Sequence, residues 1–241
     1  MFDHVTIRVS DRGASERFYD TVLGSIGIDQ THSAASFTEW GEFSLAESNA
    51  WNPVTHGLHA GFGVSSHERV DQFWQVGTAA GYRDDGEPGP RPEYGEDYYG
   101  GFLLDPDGNS VEAVHNDAER RGIDHMWIRV ADTRAAKAFY ETIAPFAGIR
   151  LGDDTPERVQ FVGEGATCSF IADDRPATEH VHLAFPAPDD ATVDAFHRAA
   201  LAAGYRDNGG PGERAVYHPG YYGAFVLDPD GNNVEVVNHN R

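Results

Sequence analysis

Residues 98–112 read Tyr-Tyr-Gly-Gly-Phe-Leu-Leu-Asp-Pro-Asp-Gly-Asn-Ser-Val-Glu, and residues 221–235 read Tyr-Tyr-Gly-Ala-Phe-Val-Leu-Asp-Pro-Asp-Gly-Asn-Asn-Val-Glu. In both, two short apolar runs flank Asp-Pro-Asp-Gly-Asn. Proline presets one turn dihedral and glycine supplies a positive one, so the stretch predicts a hairpin. On the returning strand Val111 and Ala113 share one face and Glu112 takes the other. A carboxylate so placed faces either water or a group that wants a negative charge.

Working outward, residues 57–115 align without a gap to 180–238, and nearly half the positions are identical. The openings match too: Asp3-His4-Val-Thr-Ile-Arg-Val against Asp124-His125-Met-Trp-Ile-Arg-Val. The chain is therefore read as a tandem duplication, with one domain over 1–115, a polar linker over 116–122 and a second domain over 123–241. Each half holds a weaker repeat of its own. Phe2–Ser10 alternates like a strand, with Val5, Ile7 and Val9 opposite His4, Thr6 and Arg8. Ser15–Ile26 follows at helical spacing, then β-like runs over 31–37, 39–43 and 44–47. A strand over 56–64 and a helix over 68–80 lead into the hairpin. In the second half, helices are expected over 135–146 and 191–203, with Pro145 ending or kinking the first. The expected class is α+β: four β-α-β-β-β modules making two cup-shaped mixed sheets with their helices outside.

Composition narrows the function. The 241 residues carry a formal net charge of −21, a surface that repels phosphate backbones and argues against nucleic-acid binding. No apolar run reaches membrane length and no signal-peptide pattern is present, so no membrane role is expected. The single cysteine, Cys168, precludes an internal disulfide and fits a reducing cytoplasm.

His4, His59 and Glu112 fall on the non-helix faces of their strands, 55 and 53 residues apart; His125, His182 and Glu235 recur at 57 and 53. Two imidazoles and a carboxylate on a concave face suit a divalent transition metal with open positions for water or two substrate oxygens. The expected cofactor is Zn, Ni, Mn or Fe, and the expected partner is a small molecule. Two pairings are open. Each triad is drawn from one half, or His4 joins His182 and Glu235 while His125 joins His59 and Glu112.

The Asp-His strand, the Arg-Phe-Tyr and Ala-Phe-Tyr helices, His-Val-His-Leu-Ala-Phe at 180–185 and the Leu-Asp-Pro-Asp-Gly-Asn-x-Val-Glu hairpin together resemble the vicinal oxygen chelate superfamily. That group includes glyoxalase I, bleomycin-resistance proteins, fosfomycin-modifying enzymes and extradiol dioxygenases. The resemblance implies paired modules closing around a metal, with the family's ligands falling on the six residues above. A fourth ligand, as in glyoxalase I, would fall nearest Glu47 or, less well placed, Asp173; neither local sequence aligns cleanly, so three protein ligands are expected. Fusion supplies the pairing that smaller relatives obtain by dimerising, so a monomer or a homodimer is expected.

Around the ligands, Tyr94, Tyr98, Tyr99 and Arg91 correspond to Tyr217, Tyr221, Tyr222 and Arg214, in a loop placed to cover a substrate. Tyr99 and Tyr222, with His218 and Glu47, are the candidate catalytic groups. Tyr98 and Tyr99 alternate, so only one of each pair faces inward. Arg91, Arg214, Tyr94, Tyr217 and Trp127 are the candidate substrate contacts, Trp127 standing where the first half has Thr6. The favoured function is a metal-dependent glyoxalase-like lyase or isomerase. The alternatives are an extradiol-type Fe(II) or Mn(II) ring-cleaving dioxygenase and a metal-free, drug-sequestering binding protein of the bleomycin-resistance kind.

Overall fold

The computed structural model describes residues 1–116 and 122–241, so most of the expected linker lies outside the described residues. The elements run in four repeats of strand, helix and three strands. The first comprises β1 (His4–Val9), α1 (Arg12–Ser25), β2 (His32–Ser33), β3 (Thr38–Trp40) and β4 (Phe43–Glu47). The second comprises β5 (His59–Gly63), α2 (His67–Ala79), β6 (Arg83–Pro90), β7 (Tyr99–Leu104) and β8 (Ser110–His115). The third comprises β9 (Gly122–Arg129), α3 (Thr133–Ala147), β10 (Arg150–Asp154), β11 (Arg158–Val162) and β12 (Thr167–Ile171). The fourth comprises β13 (His182–Pro186), α4 (Asp190–Ala202), β14 (Arg206–Glu213), β15 (Tyr222–Leu227) and β16 (Asn233–Asn238). This is the α+β architecture of four modules expected from the sequence. Among the described residues no helix is long and apolar enough to cross a membrane.

The helices begin earlier than their periodicity suggests, because their caps lie in the preceding turn. Asp11 accepts from the Ala14 amide and starts α1 at Arg12; Asp189 accepts from Thr192 and starts α4. Pro145 does not end α3, which runs on to Ala147 and closes at Gly148 with φ 64°. The ring sits in the last turn, where its missing N–H forfeits only one helical bond.

The chain divides into two compact units, one of residues 6–127 and one of residues 1–5 with 128–241. The unit boundaries fall inside β1 and β9, so Asp3 and His4 belong with the second half of the chain, and Asp124 and His125 with the first half. Within the 6–127 unit, β5 runs parallel to β8 and antiparallel to β9, and the order continues through β7 to β6. Helices α1 and α2 pack together, and Phe18, Tyr19, Phe43, Phe62 and Phe73 are fully buried with them. In the other unit β13 runs parallel to β16, followed by β15 and β14. Phe139, Tyr140, Phe161, Phe170 and Phe196 form its core. Each such side chain contributes about 1.5–3 kcal/mol by leaving water.

The Asp-Pro-Asp-Gly-Asn turns fold as the sequence predicts, with Gly108 and Gly231 both at φ 88°. Each also anchors a helix. Asp105 is buried and accepts from the amides of Asp107 and Asn109, from Asn109 Nδ2 and from the Tyr19 hydroxyl on α1. Asp228 repeats the amide contacts and takes the Tyr140 hydroxyl at 3.4 Å. Replacing Asp105 with Ala orphans a buried hydroxyl and several turn donors, and should lower unfolding free energy by about 3 kcal/mol. Asp107→Ala, which loses contacts to Ser10 at the surface, should cost about 1 kcal/mol. Urea unfolding followed by fluorescence, with an unchanged slope, measures both.

Candidate metal centres

Strand register assembles the first centre, entirely within residues 6–127. In the parallel β5–β8 pair Gly61 lies opposite Glu112, and in the antiparallel β5–β9 pair it lies opposite His125. His59 sits two residues back on the same face. Gly61 itself offers no side chain; a Cβ there would stand 2.2 Å from the His125 ring. The three functional groups therefore converge over a glycine. His59 Nε2 lies 3.0 Å from Glu112 Oε2 and 3.1 Å from His125 Nε2, and His125 Nε2 lies 3.2 Å from Glu112 Oε2. Glu112 is almost wholly buried.

Each group is also held from behind. His125 Nδ1 contacts Asp124 Oδ1 at 2.9 Å, and His59 Nδ1 contacts Ser110 Oγ at 3.1 Å. The Tyr98 hydroxyl donates to Glu112 Oε1 at 2.8 Å. Room for that carboxylate comes from Gly100, where a Cβ would meet Glu112 Oε1 at 2.3 Å. These outer contacts turn Nε2 of both imidazoles and Oε2 of the carboxylate toward one point.

The second centre lies within residues 1–5 and 128–241 and is built alike. His4 Nε2 and His182 Nε2 are 3.1 Å apart, and Glu235 Oε2 lies 3.1 Å from His182 Nε2 and 3.7 Å from His4 Nε2. Asp3 Oδ1 holds His4 Nδ1 at 2.8 Å, the Asn233 amide pairs with His182 Nδ1 at 2.7 Å, and Tyr221 donates to Glu235 Oε1 at 2.7 Å. Gly223 makes the same room as Gly100. Of the two pairings left open by the sequence, the exchanged one brings the ligand atoms together, all within 4.8 Å of one another in each cluster.

The other candidate residues fall less uniformly. Tyr99 and Tyr222 turn away from the centres and donate to Asp71 on α2 and Asp194 on α4; the inward tyrosines are Tyr98 and Tyr221. Glu47 stands exposed at the end of β4 and belongs to neither cluster. His218 Nε2 is taken by His239 Nδ1 at 2.8 Å. Arg91 and Arg214 lie over the rings of Phe102 and Phe225 and donate to the carbonyls of Glu87 in β6 and Gly210 in β14, which ties each loop back to the strand before it. Trp127 does line its centre, 5.4 Å from the His59 ring and 5.9 Å from His125, with Tyr94 edge-on against it. Tyr217 packs beside Tyr221. Sequence reasoning passed over the outer groups Asp3, Asp124, Ser110, Asn233 and His239, although Asp-His recurs in both halves and marks the first two.

Electrostatics of the first centre follow from this wiring. Burial opposes every charge in it, yet the two imidazoles outweigh burial at Glu112 and hold its pKa down at about 2. Burial alone would lower His125, but hydrogen bonds and charge from Asp124 and Glu112 raise it to about 9. His59 moves the opposite way, lowered chiefly by burial. Burial, then the Glu112 charge, push Tyr98 far above its ordinary value, and the same pair of causes acts on Tyr221 through Glu235, so both phenols stay protonated donors.

Comparison with known proteins places the fold. A family model for the Glyoxalase/Bleomycin resistance protein/Dioxygenase superfamily matches residues 1–113 and 122–236. Among solved structures, glyoxalase I from Zea mays aligns with 99% of this chain and 92% of its own length, at 19% identity and a TM-score of 0.70. A candidate dioxygenase from Bacillus subtilis aligns with 100% of this chain and 85% of its own, at 14% identity and a TM-score of 0.67. Comparison with curated proteins gave no match.

The pKa directions set a stability profile for chelator-treated protein. His125 is raised when folded, so its contribution is complete below its unfolded value of about 6.5 and is lost as pH rises through about 9. Glu112 is depressed, so its contribution is complete above about 4.5 and is lost as pH falls through about 2. Unfolding free energy should therefore decline between about pH 7 and pH 9.5, and His125→Gln should flatten that alkaline decline in urea titrations across the range.

Proposed function

The chain belongs to the glyoxalase/bleomycin resistance protein/dioxygenase superfamily, and on that footing we propose that each His–His–Glu cluster holds one divalent metal ion and that the chain is an enzyme binding small, oxygen-rich substrates by chelation. The observation that carries the reading is the convergence of three lone-pair donors on one point, twice, each braced from outside by a hydrogen bond. Two imidazole nitrogens and a carboxylate oxygen about 3 Å apart are held together by protons when no ion is present, and a divalent cation would take the place of those protons. As a donor set they suit Zn, Ni, Mn or Fe.

In this reading His59, Glu112 and His125 are the ligands of one centre, and His4, His182 and Glu235 those of the other. Three protein donors are fewer than the four to six such ions take, which leaves places for substrate oxygens. When bound, the ion would supply Lewis-acid stabilisation of negative charge on a substrate oxygen, the chemistry of lyases and isomerases in this superfamily. Tyr98 and Tyr221 hold one carboxylate oxygen so that the other faces the imidazoles. Asp124 and Asp3 fix the tautomers of His125 and His4, leaving Nε2 bare. Trp127 and Tyr94 give the His59 centre an aromatic wall against which an apolar part of a substrate can rest. Ring cleavage would need an acid/base imidazole at the site, and the engagement of His218 with His239 weighs against that alternative.

Protein purified without chelator or nickel affinity should contain about two metal ions per chain by elemental analysis, one for each cluster. His59→Ala and His182→Ala should each lose one, and the double variant both; two ions retained in the double variant would refute the ligand assignment. Tyr98→Phe should keep the fold and weaken metal binding at its own centre by about tenfold. Oxygen uptake with catechols would shift the reaction class to ring cleavage.

A further inference from the structure

The two centres share ligands but differ in what stands behind them. Asp3 uses both oxygens: Oδ1 meets His4 Nδ1 at 2.8 Å and Oδ2 meets His239 Nε2 at 2.8 Å. His239 Nδ1 then meets His218 Nε2 at 2.8 Å, and His218 Nδ1 meets the Pro219 carbonyl at 2.8 Å. The His218 and His239 rings are stacked at 20°, with Tyr221 edge-on against His239. At the other centre the residue corresponding to His239 is Asn116, whose amide donates to Asp124 Oδ2 at 3.2 Å. The residue corresponding to His218 is Gly95.

The second oxygen of Asp3 thus meets an imidazole at 2.8 Å, itself tied to a second imidazole, whereas the second oxygen of Asp124 meets an amide at 3.2 Å. The closer contact draws more on the carboxylate that braces His4 than the longer one does on the carboxylate that braces His125. A brace that shares its electron density with a second close partner polarises its ligand imidazole less, and a less basic imidazole binds a metal less tightly.

We propose that His239 is a positioning residue of the His4 centre alone, and that through Asp3 it makes this centre bind its metal more weakly than the His59 centre does. The inference rests on the ligand assignment proposed above. Access points the same way. The side chains of His4 and His182 are 22% and 18% exposed, whereas those of His125 and His59 are 5% and 10% exposed. A further difference lies beneath the ligands, where Gly61 of the first centre corresponds to Ala184. The chain would thus carry one firmly held ion and one readily exchanged ion.

The test uses the full chain stripped with chelator and titrated with Co(II), read by calorimetry and by the visible bands of bound cobalt. His59→Ala isolates the His4 centre and His182→Ala isolates the His59 centre. The first protein should bind one cobalt about tenfold more weakly than the second. Adding His239→Asn should recover most of that difference and shift the cobalt bands in the His59→Ala background, and change neither in the His182→Ala background. Asn116→His should weaken binding in the His182→Ala background. Equal affinities at the two centres, or a His239→Asn effect at both or neither, would overturn the proposal while leaving the ligand assignment standing. Absence of cobalt binding by the unsubstituted chain would overturn both.

Discussion

A carboxylate held almost out of water must be surrounded by donors, and the rest of each centre answers to that demand. Glu112 and Glu235 are each about 1% exposed. An unpaired charge so buried would cost several kcal/mol and would simply take up a proton. Instead a phenol binds one oxygen and imidazoles face the other. The glycines at 100 and 223 exist for the same reason, since any side chain there would occupy the carboxylate's place. Tyrosine, glycine and glutamate thus form one unit on two adjacent strands, and the hairpin turn sets their register.

The imidazoles need a different kind of support. Each presents Nε2 inward, which requires that Nδ1 be engaged behind. The aspartate preceding the first-strand histidine does this in both halves, at no cost in chain length. Asp3 lies just before β1, and Asp124 is the extra residue where the β5–β9 register shifts, so neither follows simple strand alternation and each reaches its imidazole from the side. This leaves their second oxygens open to other partners. The duplicated halves have diverged at that position, with His239 on one carboxylate and Asn116 on the other.

Much of this was readable from the residues alone. The Asp-Pro-Asp-Gly-Asn turns, the double repeat and the alternation of His4, His59 and Glu112 with apolar neighbours follow from local rules that the tertiary structure does not override. The exchanged pairing was visible only as one of two choices, because sequence spacing says nothing about which strand lies beside which. Choosing between Tyr98 and Tyr99 needed the strand's phase, and Gly-Gly after them gives no apolar side chain to set it. Phe102, paired with Glu112, does set it, and would have assigned Tyr98 to the inner face by counting back in twos. Glu47 looked like a ligand because of its chemistry, yet it ends a strand whose buried face ends before it. Arg91 looked like a substrate contact for the same reason, and its guanidinium is engaged by β6 carbonyls and a phenylalanine ring.

The exchange of the first-strand histidines has a consequence for how the molecule comes into being. His4 leaves the ribosome early and its companions His182 and Glu235 far later, so its cluster stays incomplete through most of synthesis even though β4 is soon at hand to line up beside β1. The His59 centre closes sooner, as soon as His125 follows Glu112. Contacts between residues so distant along the chain are the slowest to form and the most exposed to wrong partners meanwhile. A first half released alone would keep His4 and its Asp3 brace but not His182 and Glu235, the companions that complete its cluster.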